Sequence, residues 1–390
     1  MTGKERILAA FRGEEPDMVP FSPNLYYWFY HHQRNDTLPP ELSDAQHPLD
    51  ALRLLGADVL ARWDTHWATR EIYTSGEYSR EYAGQSDWAL PIITAFNRYP
   101  PGKTEHRERF VTPYGTLTHT WTFTREAGTD FETGFWWKHW SEYEAIRFML
   151  ESKDYVFDAG EFHHWAERVG NTGLVMALIT QSPLKTFHWL AGAENATFFI
   201  ADHPQEMAEL ARIHEAKALA LLERIVADPE VRLLLALDDL DSAFYPPRFY
   251  KLYCHDFFAK AADIIHAHGK VLMVHACGRN RALLPLAGAS RIDCLEGIAP
   301  PPTGDVQFSQ ARALAGYENF TVNGGMDVIH QETGGEDAEA RVHDYTRRLF
   351  ESMGSRGHFI LASSCSTSLM TPWRNLQFFR DAAREYGRIR

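Results

Sequence analysis

The chain has no block of lysine or arginine anywhere along its 390 residues, and its formal net charge is −13. An acidic chain of this kind is a poor partner for nucleic acid or for an anionic membrane surface. No apolar run reaches the length of a membrane span. The N-terminal stretch MTGKERILAAFRGEEPDMVPF is charged and amphipathic, without the apolar core and small-residue cleavage site of a secretion signal. A cytoplasmic location is the expectation that follows. Cysteine is scarce too, with four residues. In a reducing compartment four cysteines do not form a disulfide framework, so each is weighed as a ligand, a nucleophile or a buried apolar group.

What is present is ample core material, with 45% hydrophobic residues, arranged in a regular alternation. VPFSP (19–23) and VLARWD (59–64) read as short strands. GLVMALIT (173–180), VRLLLAL (231–237), KVLMVH (270–275), RIDCLE (291–296), NFTVNGG (319–325) and HFILAS (358–363) read as six more, each followed by a helical segment. Continuous apolar strands suit a parallel sheet buried on both faces. Eight strand–helix units predict an α/β fold, a (β/α)8 TIM barrel. A doubly wound open sheet competes, but it calls for a glycine-rich phosphate loop after its first strand, and VPFSPNLYY has none. Residues 71–140 have another texture, alternating and rich in Thr, Tyr and Trp, with RFVTPYGTLTHTWTFTRE reading as a hairpin. They are expected to form an antiparallel β insertion in the N-terminal half of a single domain spanning residues 1–390.

Reactive groups of such a barrel lie just beyond the C-terminal strand ends. His275 and Cys277 follow KVLMVH, Glu296 ends RIDCLE, and Cys365 follows HFILAS. Residues two apart at a strand end aim the same way, so His-x-Cys can offer two donors together. A distant cysteine would supply a third, and Glu296 a fourth. Imidazole with soft sulfur favours zinc over magnesium or calcium, and three protein ligands with one exchangeable position is a catalytic arrangement. The competing reading is that the cysteines are core residues. Cys254, in a helical stretch, and Cys294, inside a strand, are read that way. Asp238, Asp239 and Asp327 also stand at strand ends and are candidates for catalytic or substrate-orienting roles, against helix capping. Asn24, Tyr27, Trp28, Gln181 and Asn323 are candidate substrate contacts. The aromatics Tyr26, Phe29, Tyr30, Trp63, Trp67, Trp121, Trp136, Trp137 and Trp140 either line a pocket for a methoxylated ring or methylated ammonium, or pack the insertion onto the barrel. His66, His119 and His188 carry no assignment.

The opening segment, HGKVLMVHACGRNRALLPLAGASRIDCLEGIAPPPTGDV and VNGGMD resemble the uroporphyrinogen decarboxylase superfamily. The resemblance is patchy in the first half and dense from about residue 233 onward. Within that superfamily the corrinoid methyltransferases carry His-x-Cys and a distant Cys as zinc ligands, at positions that correspond to His275, Cys277 and Cys365. The resemblance also implies a glutamate at the fourth zinc position, for which Glu296 is suitably placed. It implies a thiol acceptor such as coenzyme M, or transfer in the other direction from an aryl methyl ether or methylamine. The corrinoid, methylcobalamin or cob(I)alamin, would be free or carried by a separate protein. The decarboxylases differ: they hold their polycarboxylate substrate with an arginine-rich N-terminal segment and need no metal. Here that stretch is SPNLYYWFYHHQR, with Arg34 alone. A metal-free relative acting on another substrate, a zinc enzyme without corrinoid and a non-catalytic binding barrel are the remaining alternatives.

Overall fold

A computed structural model of the chain describes every residue except 63, 65–67, 84–102, 125–128 and 389–390. Among the described residues, eight parallel strands form one sheet: β1 Phe21–Ser22, β2 Val59–Ala61, β3 Gly173–Ile179, β4 Leu233–Ala236, β5 Val271–His275, β6 Cys294–Ile298, β7 Thr321–Met326 and β8 Phe359–Ser363. Hydrogen bonding runs β1-β8-β7-β6-β5-β4-β3-β2, so neighbours in sequence are neighbours in space. That is the winding of a (β/α)8 barrel. Asp58 closes the seam between the first and last members of this order. Its N–H donates to Phe21 O at 2.7 Å, and its carboxylate accepts from Phe21 N at 3.0 Å. Arg6 lies against the same carboxylate at 2.5 Å.

The alternation along the strands sorts two cores. Leu174, Met176, Leu178, Leu233, Leu235, Met273, Cys294 and Ile360 fill the inside of the barrel. The N-terminal helix Gly3–Phe11 adds Ile7, Ala10 and Phe11 to that cluster. A capping box between Thr2 and Glu5 starts this helix, satisfying amides that would otherwise be orphaned. The outward set, including Leu234, Ala236, Leu272, Val274 and Leu295, packs against the surrounding helices. Cys254 and Cys294 are both fully buried, as core residues should be.

Between β2 and β3 lies the antiparallel part. Glu77–Ala83, Lys103–Thr112, Gly115–Thr124 and Thr129–Gly134 form a four-stranded meander, and Thr69–Tyr73 pairs with Lys153–Phe157. Its aromatics face helix Pro183–Asp202: the ring centroids of Trp137 and Phe199 are 4.5 Å apart, those of Trp136 and Trp189 6.3 Å. These rings fix the sheet to the barrel. Trp63, His66 and Trp67 lie outside the described residues. The sequence pattern missed one nearby element, helix Tyr26–Arg34. In YYWFY every position is aromatic, so no polar residue marks the helical period.

A buried charge network holds the meander. Glu108, 3% exposed, accepts from His119 Nδ1 at 3.0 Å and from Arg80 Nε at 2.7 Å, while His119 Nε2 bonds Glu132. Burial works to raise the Glu108 pKa. The His119 hydrogen bond and the Arg80 charge outweigh it and hold the group at about 2 against its usual 4.5. A depressed carboxylate contributes stability above its unfolded pKa and loses it as the pH falls towards the folded value. Urea denaturation should therefore show stability falling between about pH 4.5 and pH 2 more steeply in the wild type than in Glu108→Gln. At pH 7 that variant should be less stable by about 1–3 kcal/mol, because the buried His119 and the exposed Arg80 lose a charged acceptor. Parallel pH profiles would refute the assignment.

Candidate metal centre

The barrel interior has layers, and the site is its top layer. Met273 and Cys294 point inward among apolar residues; two positions on, His275 and Glu296 point inward at the C-terminal mouth. Cys277 follows the end of β5, and Cys365 follows the end of β8, with β6 and β7 between those strands. Across this mouth one donor atom each from His275, Cys277 and Cys365 lies within 4.8 Å of the others. His275 Nε2 is 3.8 Å from Cys365 Sγ.

Gly297 permits this approach. Its φ is +104°, and a Cβ there would stand 2.1 Å from Ala276 O and 3.1 Å from Ser364 O. Those carbonyls belong to the residues that precede Cys277 and Cys365. The register of β6 on β7 shifts at this point, between Glu296 and Ile298. A side chain at 297 would push the two thiol-bearing segments apart.

The two thiols are hydrogen-bonded to each other. Cys365 is held well below the usual thiol range, first by a hydrogen bond from Cys277, then by the neighbouring His275 and Arg62, against the effect of burial. Cys277 is pushed up, by that same bond and by burial. Imidazole with two sulfurs at this spacing is a donor set that fits zinc.

Glu296 lies on the other side of the ring. It is 5% exposed and accepts from His275 Nδ1 at 3.0 Å. It also contacts the guanidinium of Arg62, which follows β2 and is 3% exposed. The structure therefore brings Glu296 to the imidazole's far nitrogen and leaves it outside the three-residue donor group. In this position it fixes the Nδ1–H tautomer and turns Nε2 towards the sulfurs, as carboxylates behind metal-binding histidines do.

The other expected site residues divide. Asp239 stands at the mouth, with Oδ1 3.5 Å from His275 Nε2 and Oδ2 2.5 Å from Lys185 Nζ. Asn24 donates to Cys365 O at 3.1 Å and to Ser366 Oγ at 3.3 Å, tying the end of β1 to the Cys365 segment. Asn323 is paired in register with Glu296; it is 2% exposed, and among the described residues its Nδ2 has no hydrogen-bond partner. Tyr27 is half-buried within electrostatic reach of Arg62. Gln181 is half-buried beside β3, and its backbone oxygen accepts from His214.

Three expectations are corrected. Trp28 is 1% exposed, donates its indole N–H to Thr371 O and stacks on Trp373, so it packs helix Tyr26–Arg34 against the C-terminal helix. Asp238 is fully buried, and its carboxylate accepts from Ser182 N and Ser182 Oγ, starting helix Pro183–Asp202. Burial raises its pKa to about 6 against those bonds. Asp327 caps the short helix Val328–Gln331 and bonds His330 Nδ1 at 2.5 Å. Both aspartates order loops. Arg62 and Lys185 were the residues that sequence reasoning passed over. Arg62 stood inside a string read as strand, where a lone cation ending VLA was the available signal. His188, facing Tyr245 with ring centroids 5.2 Å apart, is held near pKa 4 by burial and by Lys185.

The class is thus an α/β barrel whose mouth gathers one imidazole and two thiols. Residues 144–386, more than half of the chain, match the family model for uroporphyrinogen decarboxylase (URO-D). The chain belongs to that family. Its fold is similar to that of a methyltransferase from Methanosarcina mazei, with 14% identity over 99% of each chain and a TM-score of 0.60. No curated protein matches the sequence. Among the described residues no helix is long and apolar enough to cross a membrane.

Gly297→Ala should cost about 1–3 kcal/mol from its left-handed backbone alone. It should also lower metal uptake below that of the wild type, read by elemental analysis of the purified protein. Unchanged stability with full metal content would show that the close approach at Gly297 does not govern the site.

Proposed function

We propose that the chain is a zinc-dependent methyltransferase that moves a methyl group between a corrinoid and a small substrate, either a thiol acceptor or an aryl methyl ether or methylamine donor. One observation carries this reading: the convergence of His275 Nε2, Cys277 Sγ and Cys365 Sγ, with a carboxylate behind the imidazole. Bound there, zinc would supply Lewis acidity, keeping a thiol ionised at neutral pH or polarising the heteroatom of a methyl donor.

The protein's own groups have distinct tasks in this scheme. Glu296 holds the His275 tautomer, and Arg62 offsets the buried charge of Glu296. Asn24 steadies the Cys365 segment. Asn323 Nδ2 is a buried donor next to Glu296, without a partner among the described residues and suited to a hydrogen bond with a substrate oxygen. Asp239 and Lys185 form the polar rim. Beyond them Phe244, Ile329 and Met370, on the segments after β4, β7 and β8, are more than half exposed. An apolar rim on the catalytic face suits the approach of a large macrocycle or its carrier. Residues 1–390 act in this reading as one domain.

Cys365→Ala should lose most of its zinc and all methyl transfer while keeping the wild-type circular dichroism spectrum. The assay is to incubate the protein with methylcobalamin or cob(I)alamin and a panel of thiols, aryl methyl ethers and methylamines, following the corrinoid absorbance. Full activity without metal would overturn the proposal.

A further inference from the structure

Three buried polar atoms at the barrel mouth have no hydrogen-bond partner among the described residues. They are Asn323 Nδ2 on β7, Ser364 Oγ just after β8 and Asn24 Oδ1 just after β1. β7, β8 and β1 are consecutive in the sheet. Asn323 is in register with Glu296 on one side and with the inner-core residue Ile360 on the other, so its side chain belongs to the inward row. Ser364 is two positions past Ala362, another inner-core residue, and directly precedes Cys365. The Asn24 amide is oriented by Cys365 O, which can only accept. Its Nδ2 donates there at 3.1 Å, and Oδ1 is left as the unused acceptor. The polar groups around these atoms are paired. Ser363 Oγ meets Thr367 Oγ1 at 2.8 Å, Thr371 Oγ1 donates to Gln331 Oε1 at 3.3 Å, and Gln331 Nε2 donates to Met326 O at 2.5 Å. Folding thus satisfies the loops of this sector but not the three atoms.

The sector is also neutral. Arg62, Lys185, Asp239 and Glu296, the described charged groups of the mouth, come from β2, β3, β4 and β6 or the segments that follow them. Asp327, after β7, is turned to its own helix and to His330. Buried donors and acceptors without partners are costly to a fold, and a ligand that completes them recovers that cost. A free hydroxyl answers both kinds of atom, accepting from Asn323 Nδ2 and donating to Asn24 Oδ1 or Ser364 Oγ. An ether oxygen or a carboxylate can only accept, and a quaternary ammonium can do neither. We infer that Asn323, Ser364 and Asn24 form a specificity subsite that selects a substrate carrying a free hydroxyl group. The inference rests on the methyl-transfer reading proposed above and names the substrate class within it.

The test compares probes that differ by one hydroxyl, a pair for each substrate type of that reading: ethanethiol with 2-mercaptoethanol, methoxybenzene with 2-methoxyphenol, and ethyldimethylamine with 2-dimethylaminoethanol. Affinity for the zinc-loaded full-length protein is read by isothermal titration calorimetry, and KM and kcat by the corrinoid absorbance. In the pair that is turned over, the hydroxylated member should bind about 100-fold more tightly, from two hydrogen bonds of about tenfold each. Burial in an apolar mouth alone would favour the other member. Asn323→Leu and Ser364→Ala should each cut the preference to about tenfold. Both should hold the wild-type zinc content and a Tm no lower than that of the wild type, since each removes an orphaned buried group. A purely structural role would show instead as a lowered Tm or lost zinc with the preference intact, and would overturn the inference. Equal or reversed affinity within the pair that is turned over would overturn it as well, and would leave the methyl-transfer reading standing. No turnover of any pair would defeat that reading and the inference with it.

Discussion

The buried carboxylate of Glu296 is the constraint on which the site depends. Removing such a charge from water costs several kcal/mol unless it is paired and hydrogen-bonded. Here it is both: Arg62 reaches it from β2, and His275 donates Nδ1–H from β5. The three groups come from separate strands and meet inside the barrel above the apolar layer of Met273 and Cys294. Satisfying Glu296 therefore sets the ring orientation of His275, and the ring orientation decides which nitrogen faces Cys277 and Cys365. A positioning task for this glutamate follows from its place in the barrel, while its charge alone would equally have suited a ligand.

The second requirement is space. Parallel strands diverge at their ends, and thiols two residues beyond β5 and β8 would not meet without a local concession between them. Gly297 makes it by letting the backbone at Ala276 and Ser364 come within contact of β6. The same theme recurs in Asp239, where a left-handed turn aims a side chain that an extended backbone would direct elsewhere. Both positions lie at the mouth.

The insertion follows a different logic. Its Glu108–His119–Glu132 network ties its own strands together, and the rings attach it to helix Pro183–Asp202, which itself begins at Ser182 beside Asp238. Trp136 and Trp137, which composition alone could also assign to a ligand pocket, are buried in this packing. The helix that carries Lys185 and His188 to the mouth thus has the barrel on one side and the meander on the other.

The sequence by itself determined the alternation of eight apolar strands with helices, and with it the barrel. Apolar runs of that length need both faces covered, and the missing glycine-rich loop after the first strand disfavoured the open doubly wound sheet. It also determined which chemistry was available at the strand ends, since His-x-Cys and a distant cysteine can be read directly. Tertiary structure alone decided which polar strand-end residues face one another. Asp238 and Asp239 are adjacent and alike in composition, yet one starts a helix and the other overlooks His275, because a single positive φ separates their directions. Arg62 could not be linked to Glu296 from a linear reading, for they are 234 positions apart and meet only when the barrel closes. Trp28 reads like a pocket residue until its helix places it against Trp373. Inward or outward direction along a strand follows from local alternation, whereas side-chain partnership across a closed barrel depends on which strands the closure brings face to face.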